Sequence, residues 1–86
     1  MRKTIYSPGH QEFIRLLRQL RLAAGLQQTE LASRLGTSQS VVSKIETGDR
    51  QIDVLELRQI CLALGVPLED FVQRLEAILD KDKSAG

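Results

Sequence analysis

Polar side chains that can hydrogen-bond to another molecule are spaced along one short stretch of the sequence, residues 39–47. They are Gln39, Ser40, Ser43, Lys44 and Thr47. Val42 and Ile45 are three residues apart, so a helix over this stretch would bury these two and expose the polar set. Amide, hydroxyl and ammonium groups on a face without large apolar residues can hydrogen-bond to base edges in the major groove of DNA.

Two short helices and a glycine turn must hold this polar stretch in place. Residues 28–35 have Leu31 and Ala32 on one predicted inward face, and Ala32 is small enough for a close helix crossing. Gly36 then lets the chain reverse, because glycine adopts positive φ at little cost. These features predict a helix-turn-helix over 28–47. An ordinary helical hairpin with a solvated polar face has the same pattern, so the spacing alone leaves both interpretations open.

Helical spacing and capping residues predict three further helices around this motif. Ser7 and Pro8 are typical of an N-cap and a first helical residue, which begins helix one. The predicted inward side chains of helix one are Phe13, Leu16, Leu17, Leu20 and Ala24. Helix four begins at Asp53 and Glu56, which have the spacing of a capping box, and helix five begins at Pro67. The sequence therefore predicts an all-α, compact five-helix domain.

Length and composition limit the chain to one small domain. Its 86 residues include 3% aromatic residues and one cysteine, so the core must be aliphatic and no intrachain disulfide can form. We expect an N-terminal arm at 1–7, the domain at 8–82 and a flexible tail at 83–86. The apolar runs are too short for a signal peptide or a transmembrane helix, so we expect a cytoplasmic protein without membrane association.

Charge distribution and residue chemistry favour binding over catalysis. Residues 1–50 have eight Lys or Arg and four Asp or Glu, whereas residues 51–86 have four and seven. This asymmetry suits a protein with one side facing nucleic acid, although chance in a short chain produces it too. His10 is the only histidine, and Cys61 lies on the predicted core stripe of helix four. We therefore expect no enzyme activity, no metal site and no cofactor.

The segment from Phe13 to Phe71 resembles the phage-repressor type of helix-turn-helix, the lambda-repressor-like or XRE family of bacterial DNA-binding domains. The residues that carry the resemblance are Gln28, Glu30, Leu31, Ala32, Gly36, Ser38, Ile45, Glu46, Gly48, Leu64 and Gly65. One departure is Gln27, a poor N-cap where the family often has Ser or Thr. The resemblance implies a sequence-specific transcriptional regulator, specifically a repressor. It places helix three, about residues 39–46, in the major groove of a palindromic operator bound by a homodimer.

The resemblance also implies roles for individual residues. Base reading is assigned to Gln39, Ser40, Ser43 and Lys44. Gln39 suits adenine, and Lys44 suits guanine or a phosphate. Phosphate contacts are assigned to Gln28, Thr37, Ser38, Thr47 and Arg50. Gln28 can also support the Gln39 side chain, and Arg21 and Glu46 match a structural ion pair between helix one and the end of helix three.

Apolar residues beyond the predicted core indicate a further interface. Leu55 and Leu62 are seven residues apart on helix four, and helix five continues with Leu75, Ile78 and Leu79. We hypothesise that these five residues form a homodimer interface, because such exposed surface usually has a partner. The alternative is that helix five folds back on helix one and covers its own apolar residues. A second functional hypothesis is a protein-interaction module, such as an antitoxin or adaptor, with an unidentified protein partner and secondary DNA binding.

Overall fold

The computed structural model describes the backbone of residues 7–85 and the side chains of residues 7–81. Its helices are α1 Pro8–Ala23, α2 Gln28–Leu35, α3 Gln39–Thr47, α4 Val54–Leu64 and α5 Leu68–Ala85. The predicted all-α, five-helix fold is confirmed. Of the arm predicted at 1–7, all but Ser7 lies outside the described residues. Helix α5 continues past the predicted domain end at residue 82, so the tail predicted at 83–86 is helical through Ala85.

Side-chain caps begin the helices. Ser7 Oγ accepts a first-turn backbone N–H of α1 at 3.1 Å, and Asp53 and Glu56 form a complete reciprocal capping box at α4. At α2 the weak cap Gln27 is assisted, because Glu30 Oε1 accepts the Gln27 N–H at 2.8 Å. This bond offsets part of the destabilisation that we expected from a glutamine at this position.

The turn between α2 and α3 depends on Gly36. This residue has φ 69°, in the left-handed region that glycine adopts without steric conflict. The Thr37 N–H donates to the Ala32 carbonyl at 2.9 Å and closes the end of α2. Ser38 Oγ then accepts the Val41 N–H at 3.3 Å and begins α3. The chain therefore reverses within a few residues, as the helix-turn-helix prediction requires.

One aliphatic core joins all five helices. Its buried members are Leu16, Leu17, Leu20, Leu26, Leu31, Ala32, Val42, Ile45, Leu57, Ile60, Cys61, Leu64 and Phe71. Phe71 is fully buried and meets Phe13 edge-on, with ring centroids 5.7 Å apart. Cys61 behaves as a small buried hydrophobe, and desolvation by burial raises the pKa of its thiol. Ala24, predicted to face this core, is exposed because α1 ends at Ala23 and the chain turns away.

Helix α5 folds back on α1, as the alternative hypothesis for its apolar residues proposed. Leu75 and Ile78 are half-buried and pack against the core, and the half-buried Leu79 lies beside Gly9 of α1. Each of these three side chains is therefore partly covered within the chain, and its part in a homodimer interface stays a prediction. The exposed residues of the hypothesised interface are Leu55 and Leu62, both on α4.

Candidate nucleic-acid interface

The outer face of α3 carries the polar residues whose spacing indicated hydrogen bonding to base edges. Val42 and Ile45, only 2% and 7% exposed, anchor the helix on the core. The opposite face carries Gln39, Ser40, Lys44 and Thr47, which are exposed, and Ser43, which is half-buried. Because α-helical residues advance by 100° each, these five residues lie on a single face. The structure thus presents amide, hydroxyl and ammonium groups together.

The residues predicted to contact phosphates lie around this face. Thr37 and Ser38 precede α3, Arg50 follows it, and Gln28 begins α2. Backbone N–H groups at the start of a helix attract anions, which makes the positions of Gln28, Thr37 and Ser38 suitable for a DNA backbone. Arg50 would attract a phosphate through its own charge. Thr47 differs from the others, since its hydroxyl lies 3.2 Å from both a backbone carbonyl of α3 and a carboxylate. Its single hydrogen is therefore used within the protein.

A chain of hydrogen bonds connects the start of α3 to a buried carboxylate. Gln39 Nε2 donates to Gln28 Oε1 at 2.7 Å. Gln28 Nε2 in turn donates to Glu46 Oε1 at 3.0 Å. Support of Gln39 by Gln28 is one of the roles that the resemblance implied, and the structure brings these two side chains into contact. Glu46 extends that support into the protein interior.

Arg21 and Glu46 form a buried ion pair at the base of this chain. Arg21 Nε donates to Glu46 Oε2 at 2.7 Å, and Nη2 donates to Oε1 at 3.0 Å. Arg21 Nη1 also donates to the Leu26 carbonyl at 2.8 Å. The two side chains are 7% and 6% exposed, so water cannot replace these contacts. The pair ties α1 to the end of α3 and holds α3 against the body of the protein.

Arg50 takes part in a second, solvent-exposed ion pair. Its Nη2 lies 3.3 Å from Glu56 Oε2, and the two side chains are 47% and 44% exposed. Glu56 uses its other oxygen to accept the Asp53 N–H in the capping box. The sequence predicts Glu56 only as a capping residue. Its contact with Arg50 crosses a loop, and helical spacing carries no signal for such a contact.

Among residues 7–81, His, Cys, Asp and Glu side chains do not gather into a group that could hold a metal ion. No helix in the described part of the chain has both the length and the apolar character that crossing a bilayer requires. The side chains around α3 interact by hydrogen bonds and by charge pairing.

Comparison with known proteins identifies the family. A helix-turn-helix family model matches residues 17–71. The solved structure of an XRE-family like protein from Pseudomonas syringae pv. tomato has a TM-score of 0.80 and 42% sequence identity, over 88% of this chain and 93% of that chain. An uncharacterized transcriptional regulator in the ATPase CF(0) region of Rhodospirillum rubrum is 40% identical over 60 residues. That match covers 70% of this chain and 56% of the relative, so the chain spans little more than half of it.

The matched residues include the features on which the site depends. The range 17–71 contains α2, α3 and α4, together with both partners of the buried ion pair. The solved relative shows that the same arrangement of helices is found in an XRE-family like protein. The chain therefore belongs to the XRE-type helix-turn-helix family, a family of DNA-binding regulators rather than of enzymes.

Proposed function

We propose that the protein is a sequence-specific transcriptional repressor that acts in the cytoplasm and inserts α3 into the major groove of operator DNA. The polar outer face of α3 carries this proposal, because Gln39 is held at its start by Gln28 and Glu46. An amide held in one place can pair bidentately with adenine, and Lys44 can pair with guanine or a phosphate. Ser40 and Ser43 add shorter contacts. Repression follows from occupying DNA that other proteins need.

Selection from a pool of random duplexes, followed by sequencing, tests this proposal. A specific regulator is expected to enrich one motif, and the enrichment should persist when salt concentration is raised. Backbone attraction alone gives weak binding that falls steeply with salt and selects no motif. The absence of any enriched motif at either salt concentration would contradict the proposal.

The proposed DNA-bound form is a homodimer on a palindromic operator. Leu55 and Leu62 are 70% and 57% exposed on one face of α4. Leu62 also lines a groove at the α4–α5 turn, together with Arg58 and Glu69. Neither of these charged residues forms an ion pair within residues 7–81. A two-fold interface places the same patch against itself, so opposite charges beside exposed leucines suit a second copy. Two half-sites would then lie about 10 bp apart.

Replacing the exposed leucines tests the dimer. Leu55→Glu combined with Leu62→Glu is expected to weaken binding to the full palindrome by about tenfold or more, because burying unpaired charge costs at least about 1.4 kcal/mol. Binding to an isolated half-site should change little. The matched control is Leu22→Glu combined with Val72→Glu, which adds the same charge at exposed apolar positions on α1 and α5. Equal losses in the two double variants would contradict this interface.

A protein-interaction module, such as an antitoxin or adaptor, is the second candidate function. The observation that favours it is the same exposed pair, Leu55 and Leu62, because another protein could cover these side chains. A protein that copurifies in stoichiometric amount and is lost in the Leu55→Glu, Leu62→Glu variant would support this function. Selection of a palindromic motif by the isolated protein would support the repressor instead.

Glu56 is expected to restrain the contribution of Arg50 to phosphate binding. Glu56→Gln removes the charge that pairs with Arg50, while glutamine can keep the capping-box bond to Asp53. An exposed pair is worth at most about 1 kcal/mol, so affinity for any duplex should rise by at most about fivefold. Fluorescence anisotropy with a labelled duplex measures this change.

The gain should depend on Arg50, which separates release of the arginine from a general change in charge. In an Arg50→Ala background, Glu56→Gln is expected to increase affinity much less than it does in the wild type. Glu76→Gln on α5 removes the same charge from an exposed position and controls for net charge. A Glu56→Gln gain of equal size with and without Arg50 would contradict this role.

A further inference from the structure

We propose that Glu46, whose side chain is buried, sets the base preference of Gln39 by fixing the orientation of two glutamine amides. This inference rests on the proposed function, because it requires Gln39 to face a base edge. Glu46 and Gln28 would then be positioning residues for recognition. The hydrogen bonds run outward from the core, where burial leaves side chains least freedom, to the exposed start of α3.

The first step is that Glu46 can only accept hydrogen bonds. Its carboxylate already accepts two bonds from the Arg21 guanidinium, at 2.7 and 3.0 Å, and its side chain is 6% exposed. A carboxylate held by arginine has no proton to donate. Gln28, which lies 3.0 Å from Glu46 Oε1, must therefore approach with its NH2 group. The opposite orientation would place a carbonyl oxygen against a buried carboxylate.

The second step passes this constraint to Gln39. With its NH2 group facing Glu46, Gln28 presents its carbonyl oxygen to Gln39, whose Nε2 donates to it at 2.7 Å. One of the two amide hydrogens of Gln39 is therefore committed. The other hydrogen and Oε1 remain available to a ligand, because the side chain is exposed. Gln39 thus offers one donor and one acceptor in a fixed arrangement.

The third step is a preference between purines. Adenine presents the N7 acceptor and the N6 donor in the major groove, which matches one N–H and one carbonyl oxygen. Guanine presents two acceptors, N7 and O6, so Oε1 of Gln39 would face another oxygen. Turning the Gln39 amide over would oppose the carbonyls of Gln39 and Gln28. Turning both amides over would instead oppose Gln28 Oε1 and the Glu46 carboxylate. Glu46 therefore disfavours guanine without touching DNA.

Competition binding with adenine or guanine at the position read by Gln39 tests this inference. The wild type is expected to prefer adenine by about tenfold or more, as a good bidentate contact allows. Gln28→Met should reduce that preference to about twofold, because Gln39 can then rotate its amide. Glu46→Gln should act in the same direction, because glutamine can donate as well as accept. Gln28→Met keeps the Arg21–Glu46 pair, so its result does not depend on a destabilised fold.

Gln27→Met is the matched control, because it makes the same substitution one residue away and outside the hydrogen-bond chain. It should leave the preference between adenine and guanine unchanged. A Gln28→Met protein that binds both duplexes more weakly but keeps the tenfold preference would overturn the inference and leave the proposed function intact. If the Gln39→Ala variant keeps the same preference between adenine and guanine as the wild type, base reading by Gln39 is overturned, and the inference with it.

Discussion

Glu46→Ala is expected to lower the free energy of unfolding by about 3–5 kcal/mol, because it leaves a buried guanidinium without its counter-charge. Arg21 is 6% exposed and makes two bonds to Glu46. After the substitution, the Leu26 carbonyl remains as the hydrogen-bond acceptor of Arg21 within the described part of the chain. Urea denaturation followed by circular dichroism measures the change. DNA binding should fall as well, since α3 loses its anchor to α1.

An exposed ion pair in the same protein supplies the control. Arg50→Ala removes one partner of the Arg50–Glu56 pair, whose side chains are 47% and 44% exposed, and should cost at most about 1 kcal/mol. Replacing the buried pair by Arg21→Met with Glu46→Leu should recover much of the lost stability, because no charge is then stranded in the core. If Glu46→Ala lowers the free energy of unfolding by no more than Arg50→Ala does, burial of the Arg21–Glu46 pair does not have the effect predicted.

Phe71→Ala is the second substitution with a large expected effect. Phe71 is 0% exposed and meets Phe13 edge-on, so its removal leaves a cavity where α5 joins the core. Such a substitution costs about 3–5 kcal/mol. In a domain of this size that corresponds to a fall in Tm of at least about 12 °C. Thermal unfolding followed by circular dichroism measures it.

Val72→Ala tests whether the effect comes from burial. Val72 follows Phe71 on the same helix but is 43% exposed, so its truncation should change stability by about 0.5 kcal/mol or less. Similar Tm values for the two variants would contradict the claim that burial of Phe71 anchors α5 to the core.

Local signals in the sequence predicted most of the fold. The start of α3 at Gln39, its N-cap Ser38 and the capping box at Asp53 depend on residues close together in the chain, which is where helix-forming and capping preferences act. The assignment of Ala24 to the core failed at a helix end. There a helical stripe no longer predicts direction, because the chain leaves the helix.

Contacts between residues far apart in the chain were harder to predict from the sequence. The apolar positions of Leu75 and Ile78 were visible in the sequence, but spacing alone could not decide whether α1 or a second copy covers them. That choice depends on how α5 crosses the other helices. The bond between Gln28 and Glu46 joins residues 18 apart and depends on side-chain rotamers at a helix crossing. The resemblance implied the Arg21–Glu46 pair and the support of Gln39 by Gln28. The bond that joins these two contacts is seen only in the structure.

Base reading by α3 is decided by comparing Gln39→Ala with single base changes in the selected duplex. Wild-type and variant proteins are titrated against that duplex and against one in which the adenine assigned to Gln39 is replaced. Either change alone is expected to weaken binding by about fivefold to 150-fold, corresponding to about 1–3 kcal/mol, and combining the two should add little. Independent, additive losses, or no loss from Gln39→Ala on any selected duplex, would contradict base reading by α3.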